Sequence, residues 1–217
     1  MKVDRFWNGL KQISNGYYVL EGDLFSAESI EVVLDGCLVI YGSVISKENI
    51  IASCGIEAWY DIQAGEGIEA AEGIKAGCDI EAGFGIEAGC SIEADYSIKA
   101  GCSIEAGYSI KAGEGIKAGG GIKAGEGIEA GEGIKAGCGI EAGFGIEAGC
   151  GIEAGWGIKA GDGIEAGSFI HSEKRIFAGV GVYYTTQNCK KAIRCSELRK
   201  GEICYGELII SKTEDQN

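Results

Sequence analysis

Isoleucine stands at every sixth position from Ile50 to Ile176, and between Gly55 and about Gly167 the intervening residues repeat as well. The unit is Gly-Ile-Glu/Lys-Ala-Gly-X. The same frame reaches back through Val44, Leu38, Val32 and Leu20, and forward to Val182. A short fixed period of this kind marks a solenoid, in which no unit buries its own apolar face and each coil is stable only on its neighbours. Within a unit, an extended Ile-Glu/Lys-Ala segment puts Ile and Ala on one face and the charge on the other. The pattern predicts inward Ile and Ala, a bend at Gly-X-Gly supplied by glycine's access to positive φ, and a variable X pointing outward.

The hexads predict an all-β solenoid spanning 32–182, regular over 55–170, between an N-terminal cap (1–31) and a C-terminal cap (183–217). In the first cap, Asp4 starts a short helix whose Phe6, Leu10 and Ile13 share a face, and Asn15-Gly16 turns the chain into a strand from Tyr17 to Leu20. In the second, Val182 ends the stack, a short helix runs from Lys190 to Lys200, and a strand follows from Ile203 to Ile210.

Residue types segregate when the hexads are taken in pairs. Every twelfth residue then gives one glutamate-rich face, with Glu69, Glu81, Glu93, Glu105, Glu129, Glu141 and Glu153, and an opposite face rich in lysine. The edges separate too: Phe84, Tyr96, Tyr108, Phe144 and Trp156 fall on one, and the cysteines Cys78, Cys90, Cys102, Cys138 and Cys150 on the other. Taken in threes, acids, lysines, cysteines and aromatics mix on every side. This favours a flat, two-sided solenoid of twelve-residue coils. The edge residues are also nearly palindromic about Gly120, so two rods laid antiparallel along the aromatic edge would form a two-fold homodimer with Phe84 near Trp156 of the partner.

The aliphatic-first hexad, as in Ile80-Glu81-Ala82-Gly83-Phe84-Gly85, resembles that of the hexapeptide-repeat acyltransferases over about 55–170. That likeness implies a stacked-coil fold of three-sided coils and, in those enzymes, a catalytic histidine between subunits. The regular coils here hold no histidine, and His171 is the only one in the chain. More broadly the chain is similar to bacterial and phage Gly/Ile/Ala-rich β-solenoids, a resemblance that implies fold more than function.

Composition narrows the function classes. The net charge is −14, and between Gly55 and Ile170 sixteen Glu and four Asp stand against seven Lys. Such a rod repels nucleic acid and membrane surfaces and attracts basic proteins. No apolar run is long enough for a membrane span and no signal peptide is evident, so a cytoplasmic location is expected. The ten cysteines then read as free thiols. A zinc site from Cys189, Cys195 and Cys204 lacks ligand spacing, and no metal or other cofactor is expected. The glycine-rich triplets are products of the repeat rather than phosphate loops, and ice binding fails for want of threonine before Thr185. The expectation is a non-enzymatic inhibitor, anti-CRISPR in style, whose seven glutamates occupy the basic nucleic-acid groove of a host-defence or DNA-processing complex. The alternative is a self-assembling scaffold in which the acidic face of one copy meets the basic face of the next. An acyltransferase-like enzyme ranks below both.

Overall fold

The computed structural model describes residues 1–14, 16–179 and 192–211. It is a parallel β-solenoid of about ten turns. At the spacing of about 4.8 Å between strands, the stack is on the order of 50 Å long. Each hexad from Ile50 to Ile164 contributes one three-residue strand, Ile-X-Ala, and the isoleucines are almost wholly buried along the axis. The alanines lie beside them, while the charged central residues of the strands point outward. The inward Ile and Ala, and the outward charge, are as the hexad predicts.

The number of hexads per coil is different. Ile62 pairs with Ile80, Ile68 with Ile86 and Ile74 with Ile92, so partners lie 18 residues apart. Three hexads close each turn, and the expected twelve-residue coil is overturned. Strands stack in three walls. Wall 1 runs from Leu24–Ser26 through Ile62–Ala64 to Ile152–Ala154, wall 2 from Ile30–Val33 through Ile68–Ala70 to Ile158–Ala160, and wall 3 from Tyr17–Glu21 through Ile56–Ala58 to Ile164–Ala166. The long strand Phe169–Ala178 turns a corner and pairs with both Ile152–Ala154 and Ile158–Ala160. It joins walls 1 and 2 into one 19-stranded sheet, whereas wall 3 is a separate 12-stranded sheet.

Over much of the regular repeat the charges fit three better than two. Consecutive hexads in much of the repeat alternate between Glu and Lys. A coil of two hexads would stack Glu on Glu and Lys on Lys at rung distance, an arrangement of like charges that opposes pairing. A coil of three reverses the parity at each turn and sets Glu against Lys. Lysine and glutamate 18 residues apart are in fact bonded: Lys123 to Glu105 at 2.8 Å, Lys159 to Glu141 at 2.7 Å, Lys135 to Glu153 at 3.0 Å and Lys111 to Glu129 at 3.1 Å.

The repeat glycines also act differently from expectation. None of them has a positive φ. The first glycine of each triplet is required by close approach: a Cβ on Gly101 would lie 1.9 Å from the carbonyl oxygen of Gly83, one rung away. The same collision recurs at Gly83 against Gly65 and at Gly143 against Gly125. Ala71 and Asp95 occupy equivalent positions, so a rung can open locally to admit a side chain.

The ends depart from the prediction as well. Instead of a helix near Asp4, strands Lys2–Asp4 and Lys11–Ser14 lie on Ile30–Val33 and Tyr17–Glu21. They satisfy the exposed backbone edge that an uncovered coil would present. The first coil is longer, with Tyr17 opposite Cys37 and Ile30 opposite Ile50. The predicted helix over 190–200 is replaced, from Ala192 on, by strands Ala192–Cys195 and Glu197–Tyr205, which continue the stack. Lys190, Lys191 and Val182 lie outside the described residues. The predicted strand Ile203–Ile210 is divided between Glu197–Tyr205 and Glu207–Ile210. Among the described residues no helix is long and apolar enough to cross a membrane.

Two substitutions test this packing. Ile116→Ala, at a fully buried rung, is expected to cost about 2–5 kcal/mol through lost burial and a cavity. Gly101→Ala is expected to cost about 1–3 kcal/mol by overpacking. Chemical denaturation reads both.

Candidate functional surfaces

With 18-residue coils, the seven glutamates do not share a face. Glu81 and Glu153 stand on wall 1, Glu69, Glu105 and Glu141 on wall 2, and Glu93 and Glu129 on wall 3. Glu105, Glu129, Glu141 and Glu153 are engaged by lysines one rung away. The single carboxylate face is therefore replaced by charge-paired walls.

Three stretches break that pairing, one of them on wall 3, where Glu129, Glu147 and Glu165 occupy successive rungs and Glu147 has no cation among the described residues. On wall 2, Glu69, Glu87 and Glu105 occupy three successive rungs, and among the described residues only Glu105 has a cation, Lys123. On wall 1, Lys99, Lys117 and Lys135 do the same, and among the described residues only Lys135 has an anion, Glu153. Glu72 extends the acidic region to the corner between walls 2 and 3. A period of 18 brings out these stripes in the sequence, whereas a period of 12 conceals them by scattering their members over two faces.

The aromatic edge is redistributed in the same way. Phe84 and Trp156 lie on the corner between walls 1 and 2, Tyr108 and Phe144 on the corner between walls 2 and 3, and Tyr96 on the remaining corner. All five are exposed. The corner of walls 1 and 2 reads, rung by rung, Glu66, Phe84, Cys102, Gly120, Cys138, Trp156, Lys174. Each member's backbone N–H donates to the carbonyl of the one before it, at 2.8–3.1 Å. The Lys174 ammonium sits 4.7 Å above the Trp156 ring centroid, in cation–π contact.

Beside Trp156, on wall 2, an open cleft of about 1100 Å³ is lined by Glu105, Lys123, Glu141, Lys159 and Phe177 among others. Its cations are largely committed: Lys123 and Lys159 to glutamates, Lys200 to Glu173, and Lys174 to the Trp156 ring. His171 hydrogen-bonds through Nε2 to Glu173 Oε1 at 2.9 Å and stands outside this cleft. The carboxyl of Glu173 is held below the usual carboxylate range, by its bond to Lys200 first and to His171 second.

Of the cysteines proposed for zinc, Cys195 is buried, Cys204 is exposed and Cys189 lies outside the described residues. Among the described residues no group of three metal-ligating side chains is present. Burial drives the Cys54 thiol up to about 11, with Cys37 adding to the effect, and burial raises Cys195 as well. The chain matches no protein-family model, no curated protein and no solved structure.

Reactivity should follow this division, because the thiolate is the nucleophile. Brief iodoacetamide treatment of the folded protein at mildly alkaline pH is expected to label the exposed Cys102, Cys150 and Cys204 and to spare Cys54 and Cys195, as read by peptide mass spectrometry. Lys123→Glu would extend the acidic run on wall 2 without a break from Glu69 to Glu141. The melting temperature is expected to fall, and added salt to restore part of the loss by screening.

Proposed function

We propose that this chain is a non-catalytic, acidic binding protein that docks on the basic groove of a nucleic-acid-binding complex of host-defence or DNA-processing type, in the cytoplasm, and excludes nucleic acid by charge. The observation that supports this reading is the Glu69–Glu87–Glu105 stripe, with Glu72 beside it. On this wall Glu69 and Glu87, with no bonded cation among the described residues, stand on successive rungs beside Glu72, whereas the other acidic run, Glu129–Glu147–Glu165 on wall 3, is held at its two ends by Lys111 and Arg194. Stacking like charges opposes the fold, and a basic partner removes the repulsion on binding. A preformed surface of this kind carries little ordering cost into the complex. The rungs are about 4.8 Å apart, which suits imitation of a phosphate backbone's potential rather than of its geometry.

The test is competition for a purified CRISPR effector with a basic DNA groove, followed by anisotropy of labelled duplex DNA. The wild-type chain is expected to displace DNA, less effectively as salt rises. Glu69→Gln/Glu87→Gln should weaken displacement at least tenfold, whereas Lys99→Gln/Lys117→Gln should not. No displacement by the wild type, or equal displacement by the double glutamine variant, would remove this reading for that complex.

A second reading is favoured by the lysine stripe on wall 1. Lys99, Lys117 and Lys135 repeat at the same spacing as Glu69, Glu87 and Glu105 but sit two rungs further along the rod. A contact between the two stripes on different copies is heterologous and does not close. It gives a scaffold that grows. Salt-sensitive light scattering beyond the size of a dimer would support assembly over inhibition.

A further inference from the structure

The corner between walls 1 and 2 is self-complementary. Around Gly120 its rungs pair as Cys102 with Cys138, Phe84 with Trp156, and Glu66 with Lys174, so that thiol, aromatic and opposite charge match in turn. A two-fold axis perpendicular to the rod at Gly120 superposes these pairs between two antiparallel copies. We propose that this corner is the homodimer interface, occupied by a second copy of the chain.

Several observations single it out. Phe84 and Trp156 are 57% and 59% exposed, and within one copy Trp156 carries the Lys174 ammonium over its ring. Gly120, without a side chain, leaves a notch at the axis where the two backbones come closest. The flanking walls exclude broader antiparallel contacts centred at the same level. Wall 1 against wall 1 would bring Lys117 onto Lys117 and Lys99 onto Lys135, and wall 2 against wall 2 would bring Glu105 onto Glu141. At a corner those walls fall away on both sides, and the like charges stay apart. Neither other corner has this symmetry. One reads Glu72, Cys90, Tyr108, Glu126, Phe144, Asp162, and the other would place Glu114 against Glu132.

The contact is narrow. From Glu66 to Lys174 it covers six rung steps, about 29 Å at the usual strand spacing, along a ridge rather than a face. Stable interfaces bury about 800 Å² per partner, so a narrow ridge is expected to give a reversible rather than an obligate dimer. The inference is independent of the proposed function, since it rests on the corner and not on the acidic stripe of wall 2.

Sedimentation equilibrium of the full chain over a concentration series tests it. Wild type is expected to show a reversible monomer–dimer equilibrium. Trp156→Ala and Glu66→Lys should each weaken it at least tenfold, and Glu66→Lys/Lys174→Glu should recover most of the loss. Register is read separately by copper-phenanthroline oxidation of wild type. Within one chain Cys102 and Cys138 are two rungs, about 9.6 Å, apart, beyond the Cα separation that a disulfide spans. A Cys102–Cys138 bridge in the covalent dimer therefore reports the antiparallel pair. A monomer at all soluble concentrations, a dimer indifferent to the charge swap, or a Cys102–Cys102 bridge from a parallel pair would each overturn the proposal.

Discussion

The rest of the molecule depends on the backbone hydrogen bonds that stack each coil on the next at strand spacing. They run without interruption through walls and corners, as in the chain of N–H to carbonyl contacts from Glu66 to Lys174. This close approach sets what each position in the hexad can hold. The isoleucine fills the axis, the alanine takes the space left beside it, and the first corner glycine leaves room for the carbonyl of the rung below. Glycine is there for proximity, not for an unusual φ, which explains why so many glycines coexist with so regular a backbone.

Stacking also turns the charge pattern into an energetic constraint. In a coil of three hexads, alternating Glu and Lys becomes alternation along each wall, and the side chains bond across rungs. These pairs are exposed, and their net contribution is small, but like-on-like stacking would oppose pairing at every turn. Against that background, Glu69–Glu87–Glu105, Lys99–Lys117–Lys135 and Glu129–Glu147–Glu165 are departures that the fold tolerates rather than needs. Such local conflict with the rule of the structure is what the proposed binding role rests on.

The corners are governed by a weaker constraint, because their side chains point away from the core. Position X accepts Glu, Phe, Cys, Gly or Trp without changing the backbone that carries it. Order along a corner is therefore free to encode recognition, and on the corner of walls 1 and 2 it is symmetric about Gly120. The ends of the rod work in the opposite sense. At the N-terminal end the strands Lys2–Asp4 and Lys11–Ser14 cover coil edges that would otherwise be open to another chain.

From the residues alone, the β-solenoid, the inward Ile and Ala, the outward charge and the exposed corner position were all legible, since each follows from the hexad itself. The number of hexads per coil was not. Periodicity by six is satisfied by any coil made of whole hexads, and the twelve-residue alternation suggested two because it sorts residue types into tidy faces. Only tertiary stacking decided for three, since what meets across a rung is set by the closure of the coil and not by neighbours in sequence. That choice divided the glutamates among three walls, gathered Phe84, Cys102, Cys138 and Trp156 onto one corner, and left Tyr96, Tyr108 and Phe144 on the others. The helices expected near Asp4 and after Lys190 failed for the same reason. Short segments beside an open sheet edge gain more by pairing with it than by forming an isolated turn of helix.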